Sequence, residues 1–140
     1  MEVVRMRRML DPKTIAVIGA SETEGTVGRT LMDNAIGSRG RTVFPVNPNH
    51  KKVLGLDAFP AIGTVPDQVD LAIVATPAAT VPDVLEECAR AGVSGAIVIS
   101  AGFGETGKVG LALERRIKKI LRETPMRVVG RRVRMLGEGP

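Results

Sequence analysis

Short apolar runs, each stopped by glycine or proline, recur along this chain and constrain its fold more than any other feature. The run TIAVI ends at Gly19, DLAIVAT is stopped by Pro77, and AIVIS leads into Gly102. Short continuous apolar runs of this kind are typical of strands that are covered on both faces. Segments with helical spacing lie between them. This alternation predicts parallel βαβ units, and therefore a doubly wound, mostly parallel α/β sheet with helices on both faces, folded as a single domain.

Local patterns predict where individual elements lie. After the first strand, Val27, Leu31 and Ala35 recur at helical spacing. Thr80 and Asp83 have the spacing of a capping pair at the start of the second helix. The other predicted elements are strands at 42–46, 53–60, 70–76, 96–99 and 126–129, of which 53–60 is short and irregular, and a third helix with the apolar stripe Val109, Leu113, Ile117 and Leu121.

The net charge of +5 is concentrated at the two ends of the chain. Residues 1–13 carry four basic and two acidic groups, residues 126–140 carry four basic and one acidic group, and the segment between them is neutral. Charge runs at chain ends are most often solvated, so this pattern argues against nucleic-acid binding. We divide the chain into an N-terminal basic lead-in at 1–13, a folded domain at 14–130 and a basic C-terminal tail at 131–140.

Cysteine content and hydropathy bear on where the protein functions. Cys88 is the only cysteine, so no disulfide can form within the chain. No apolar run approaches the length of a membrane span, and Met1 to Leu10 has no hydrophobic signal region. We therefore expect a cytoplasmic protein that does not enter a membrane, with Cys88 as an inert core residue.

Turn-forming residues follow four of the predicted strands. They occupy 19–28, 46–48, 76–78 and 100–104. Because parallel strands end at a common edge, these four segments should converge where open α/β sheets bind ligands. The segment 19–28 is rich in glycine and opens a helix, which is a favourable arrangement for binding phosphate. The sequence therefore predicts a site for a phosphorylated ligand at this edge.

The residues after the second strand indicate which nucleotide is bound. An NAD-binding domain places Asp or Glu there for the ribose hydroxyls, whereas this chain has Val46, Asn47 and Pro48, followed by Lys51 and Lys52. Lysines at this point could reach a phosphate on the sugar, which favours CoA or NADP over NAD. Glu22 and Glu24 oppose this interpretation, because carboxylates in the glycine-rich loop repel a pyrophosphate unless they face water.

Several segments, in the same order, resemble a known family. They are PKTIAVIGAS with the later Gly25 and Gly28, VFPVNPNHKKVLGLDAFP, DLAIVATPA and VPDVLEECARAGVSGAIVISAGFGETG. Together they resemble the N-terminal CoA-binding domain of ADP-forming acyl-CoA synthetases, which are acetate–CoA ligases akin to the succinyl-CoA synthetase alpha subunit. The resemblance covers about residues 10 to 130 and implies a Rossmann-like domain that binds CoA along its strand ends.

The resemblance also implies which residues contact CoA. In the first loop and at the following helix start these are Gly19, Ala20, Ser21, Gly25, Val27 and Gly28; near the adenosine Asn47, Pro48 and Lys51; along the middle of the ligand Thr76 and Pro77; and beside the thiol arm Ser100, Ala101 and Gly102. For Gly28 and Gly102, close packing of helix on strand is an equal alternative. Ser21 has the alternative of closing the loop.

The sequence departs from the family after Gly130. Members continue there into a second domain with a phosphorylated histidine, and an ATP-grasp part activates ATP. Here Arg131 and Arg132 follow, and His50, the only histidine, lies outside the matching position. We therefore expect a module that binds CoA or acyl-CoA, has no metal site and is not catalytic alone. It would work with a separate ATP-grasp ligase subunit. The sequence leaves open whether the chain forms a homo-oligomer.

Two other functions are compatible with the sequence. One is an NAD(P)H-binding redox or regulatory sensor, which the missing carboxylate after the second strand disfavours. The other is an interaction protein whose basic ends bind an acidic partner.

Overall fold

The computed structural model describes residues 2–99 and 107–130. The helices in this part of the chain are α1 (Glu2–Leu10), α2 (Val27–Gly37), α3 (Val81–Arg90) and α4 (Gly107–Arg122). The strands are β1 (Thr14–Ile18), β2 (Thr42–Val46), β3 (Lys52–Val53), β4 (Leu56–Asp57), β5 (Leu71–Val74), β6 (Gly95–Val98) and β7 (Arg127–Gly130). None of the described helices is long and apolar enough to cross a membrane.

Five strands form one parallel sheet in the order β2-β1-β5-β6-β7. Alternate residues of β1 enter different cores: Ile15 and Val17 join a cluster with residues of α2, whereas Ala16 and Ile18 join a cluster with residues of α3 and α4. Burial of both faces explains why the strands are apolar throughout. The predicted fold, a doubly wound Rossmann-like sheet in a single domain, is confirmed.

The N-terminal residues 2–10, part of the predicted lead-in, form helix α1 on the α2 side of the sheet. Met9 of this helix is buried against Gly95 of β6. A Cβ atom at Gly95 would lie 2.6 Å from the Met9 side chain, so β6 accepts the helix because it has no side chain at this point.

The prediction of a capping pair at α3 is wrong. Thr80 has helical backbone angles and ends a short 3₁₀ turn, Ala78–Thr80, that runs directly into the helix. Its hydroxyl donates to the Pro77 carbonyl oxygen at 2.7 Å, and Asp83 forms an ion pair with Arg116 of α4. An N-cap residue needs extended backbone angles, and the 3₁₀ turn does not provide them.

Two further local expectations differ from the structure. The segment 53–60 contains not one irregular strand but the second half of an antiparallel hairpin of β3 and β4, together with a bridge from Phe59 to Val46. In α2 the buried positions are Gly28, Met32 and Ala35, whereas Val27 is 53% exposed. Two predicted segments lie outside the described residues: the turn-forming segment 100–104, with Ser100, Ala101 and Gly102, and the tail at 131–140.

Candidate cofactor-binding site

A groove of about 420 Å³ lies at the carboxyl ends of β1, β2 and β5. The chain passes from β1 to β2 on one side and later returns to β5 on the other, so the groove lies where the strand order reverses. Five of the predicted site residues line it together: Gly19, Asn47, Pro48, Thr76 and Pro77. The remaining lining residues are Ile18, Val46, Asn49, Pro60, Ala61, Ile62, Thr80, Val84 and Glu87.

Three residues of this lining lie on one face of α3 or just before it. Thr80, Val84 and Glu87 are spaced by four and three residues and give the groove a hydroxyl, an apolar contact and a carboxylate. We did not predict them as site residues. Their helical spacing beside the Thr76–Pro77 turn was the available signal.

Two glycines allow close packing at the end of β1, Gly19 against the residue that follows β5 and Gly28 at the start of α2. Gly19 has φ +93°, and a Cβ atom there would lie 2.9 Å from the Ala75 carbonyl oxygen. At Gly28 an added Cβ would lie 2.2 Å from the Gly19 carbonyl oxygen. Gly28 therefore serves close packing of helix on strand, one of the two roles left open for it.

Residues 19–26, which we call the first loop, are shaped by short polar side chains. Ser21 Oγ accepts from the Thr23 amide at 3.0 Å, and Thr26 Oγ1 accepts from the Arg29 amide at 3.2 Å as the N-cap of α2. Gly25 has φ +85°, which favours glycine at this turn. In the described part of the chain, the amides of Val27 and Gly28 have no acceptor. The loop thus presents the positive end of the α2 dipole.

Asn47 joins the ends of β1 and β2. Its Nδ2 donates to the Ala20 carbonyl oxygen at 2.9 Å, and its Oδ1 accepts from the Asn49 amide at 2.8 Å. The Ala20 side chain is buried in the core beside α2, and Ala20 does not line the groove. A side chain with both a donor and an acceptor is needed at position 47, and asparagine provides both.

Charged side chains surround the hairpin of residues 52–57, which follows β2. Lys52 Nζ lies 3.8 Å from Asp57 Oδ1, whereas the exposed Lys51 has no ion pair within the described residues. Glu22 Oε1 accepts from the Leu54 amide at 2.6 Å, and Glu24 is exposed. Of the two carboxylates that argue against pyrophosphate binding, one is thus bonded to the hairpin. Lys51 does not itself line the groove.

Cys88 lies in the core on the inner face of α3. Burial, with a smaller contribution from the charge of Glu87, raises the pKa of its thiol from 9.0 to about 12. A neutral buried thiol is a poor nucleophile and a poor metal ligand. No cluster of three or more His, Cys, Asp or Glu residues that could hold a metal ion occurs among the described residues.

A family model described as "CoA binding domain" matches residues 13–136. Acetate–CoA ligase [ADP-forming] I of Archaeoglobus fulgidus is 46% identical over 125 residues, an alignment that covers 89% of this chain and 18% of the ligase. The alpha subunit of acetate–CoA ligase [ADP-forming] II of Pyrococcus furiosus is 38% identical over 120 residues, covering 86% of this chain and 26% of the subunit.

Solved structures also resemble this chain over most of its length. PH0766 from Pyrococcus horikoshii superposes with a TM-score of 0.84 at 37% identity, covering 89% of this chain and 29% of that one. The dinucleotide-forming acetyl-coenzyme A synthetase 1 of Ca. Korarchaeum cryptofilum, solved with phosphate and ADP, superposes with a TM-score of 0.80 at 35% identity, covering 89% of this chain and 27% of that one. The chain therefore spans less than a third of the length of each of these relatives.

Proposed function

The chain belongs to the CoA binding domain family, and on that premise we propose that the groove at the strand ends binds CoA or an acyl-CoA. One observation carries the proposal. The groove lies at the reversal of strand order, beside Gly19 where the first loop begins, and its β2 end offers Asn47 and Pro48 in place of a carboxylate. This arrangement suits a phosphorylated nucleotide whose ribose hydroxyls need no acidic partner.

The groove and the segments beside it suit different parts of CoA. The pyrophosphate would lie at Gly25, Val27 and Gly28, where the helix dipole favours negative charge. The adenosine would lie beside Asn47 and Pro48, with the Lys51 ammonium near the phosphate on the ribose. Thr76 and Pro77 would contact the middle of the ligand, and the thiol arm would continue toward residues 100–102.

We further propose that these 140 residues are the CoA-binding part of an ADP-forming acyl-CoA ligase and do not catalyse ligation by themselves. This rests on the relatives, which are ADP-forming acetate–CoA ligases and one of their alpha subunits. A separate ATP-grasp subunit would supply the activation of ATP. The alternative of an NAD(P)H sensor finds no support among these relatives.

Isothermal titration of the chain with CoA, dephospho-CoA, NADH and NADPH tests the binding proposal. We expect CoA to bind more tightly than dephospho-CoA, and NADH to give no measurable heat of binding. Binding of NADH without binding of CoA would overturn the proposal.

A pair of neighbouring lysines provides the matched site variants. Lys51→Gln should weaken CoA about tenfold, as expected for loss of one charge-assisted contact, and should leave dephospho-CoA unchanged. Lys52→Gln removes the same charge one residue away, from a side chain already close to Asp57, and should weaken CoA less. Equal losses in the two variants would contradict the assignment of the sugar phosphate to Lys51.

A further inference from the structure

Glu22 connects the first loop to the hairpin. Its Oε1 accepts from the Leu54 amide at 2.6 Å, and its own carbonyl oxygen accepts from Arg29 Nη1 at 2.7 Å. Arg29 lies in the first turn of α2 and also pairs with Asp33 at 3.1 Å. A continuous series of contacts therefore runs from α2 through Glu22 to the tip of the hairpin.

The hairpin tip itself has an unusual composition. Leu54 and Gly55 form its two-residue loop, with φ of 50° and 80°. Both positions require the left-handed region, as in a type I′ turn, where Asn or Gly is usual and leucine is strained. Leu54 is nevertheless accommodated, because its side chain packs against the cluster beside α2 and its amide is bonded to Glu22. Two contacts with the body of the domain thus hold the tip in place.

We propose that Glu22 is a positioning residue that fixes the hairpin, and with it Lys51, relative to the first loop. This inference rests on the proposed function, since the first loop would bind the pyrophosphate of CoA and Lys51 its sugar phosphate. These two anionic groups are joined through one sugar, which limits the distance between them, so their binding is strongest when the two protein segments have a fixed separation. Glu22 thereby raises the selectivity for CoA over dephospho-CoA without touching either phosphate.

The competing explanation is that Glu22 is only a negative charge beside the ligand. In that case its removal would strengthen binding of both nucleotides, because repulsion of the pyrophosphate would fall. Glu24 provides the comparison. It lies in the same loop, is exposed, and forms no ion pair or side-chain hydrogen bond within the described residues.

The test compares Glu22→Ala, Glu22→Gln and Glu24→Ala with the unmodified chain. For each protein, titration calorimetry gives the ratio of the dissociation constants of dephospho-CoA and CoA. Hydrogen exchange measured by NMR gives the protection of the Leu54 amide in the absence of ligand. Circular dichroism confirms that each variant is folded.

We expect Glu22→Ala to lower the ratio about fivefold, which corresponds to loss of one hydrogen bond, and to speed exchange of the Leu54 amide. Glu22→Gln keeps the side-chain carbonyl acceptor and should retain most of the ratio. Glu24→Ala should change both dissociation constants equally and leave Leu54 protected.

An unchanged ratio in Glu22→Ala, including the case in which both nucleotides bind more tightly by the same factor, would overturn the positioning role while leaving the proposed function intact. If the unmodified chain bound neither nucleotide, the proposed function would fail. A loss of Leu54 protection in Glu22→Ala would then support the structural contact alone and overturn its role in selectivity.

Discussion

At the scale of single residues, Cys88 illustrates how burial sets the chemistry of a side chain. The folded protein holds its thiol at a pKa of about 12, against 9.0 for the same group in water. The neutral thiol therefore favours the folded state, and this contribution is complete below pH 9 and declines between pH 9 and 12 as the unfolded chain ionises.

We predict that, above pH 9, this single group lowers the free energy of unfolding by about 1.4 kcal/mol per pH unit. Urea unfolding at pH 8 and pH 10 measures the decline, and Cys88→Ala provides the background from lysines and other groups. The variant will be less stable at pH 8 because a cavity replaces the sulfur, but its decline with pH should be smaller than that of the unmodified chain. Parallel declines would contradict the shifted pKa.

Asn47 shows what can be predicted about a residue and what cannot. Its position after the second strand placed it correctly at the edge of the sheet, because strand ends of a parallel sheet share that edge. Its bonds to Ala20 and Asn49 were not predictable, since they depend on how closely two separate loops approach. The bond of Glu22 to the Leu54 amide was not predictable either, because the local sequence showed Glu22 only as an unfavourable charge in the loop.

At the scale of elements, the junction of β1 with α2 depends on the absence of a side chain at Gly28. We predict that Gly28→Ala lowers the free energy of unfolding by about 1 to 3 kcal/mol, because the added carbon would lie 2.2 Å from a backbone oxygen that cannot move aside cheaply. Gly37→Ala, at the other end of the same helix, is the control. Nothing lies within 4 Å of its added carbon, and it should stabilise the protein by roughly 0.5 kcal/mol. Urea unfolding of both variants measures these effects, and similar values for the two would contradict the packing role of Gly28.

Elements differed in how well the sequence predicted them. The sheet strands were predictable because burial on both faces leaves a local apolar pattern in each. The two strands of the hairpin contain two residues each, which is too short for any period to show. Helix α1 depends on a contact between Met9 and Gly95, which are distant in sequence. Thr80 matched a capping pattern, but the 3₁₀ turn before it decided its backbone conformation.

At the scale of the whole molecule, the groove is a consequence of topology. In the first half of the domain the strands extend from β1 to β2, and in the second half they extend in the opposite direction from β5 to β7. No crossover therefore covers the point where the two halves meet. This is why the place of the site followed from the order of strands and helices alone. Under the proposed function, the selectivity of the site would depend instead on side chains of the first loop and the hairpin.

A ligand that bridges both halves should stabilise the domain as a unit. At a free concentration one hundred times its dissociation constant, CoA should add about 2.7 kcal/mol to the free energy of unfolding, which for a domain of this size raises the midpoint of thermal unfolding by roughly 8 °C. Each further tenfold increase in CoA should add about 1.4 kcal/mol more, because the linkage is logarithmic in ligand concentration. Differential scanning calorimetry over a CoA series measures this, with NADH at equal concentrations as the control. A midpoint that rises equally with NADH, or stops rising at low CoA, would mean that the stabilisation does not come from a nucleotide held selectively between the two halves of the sheet.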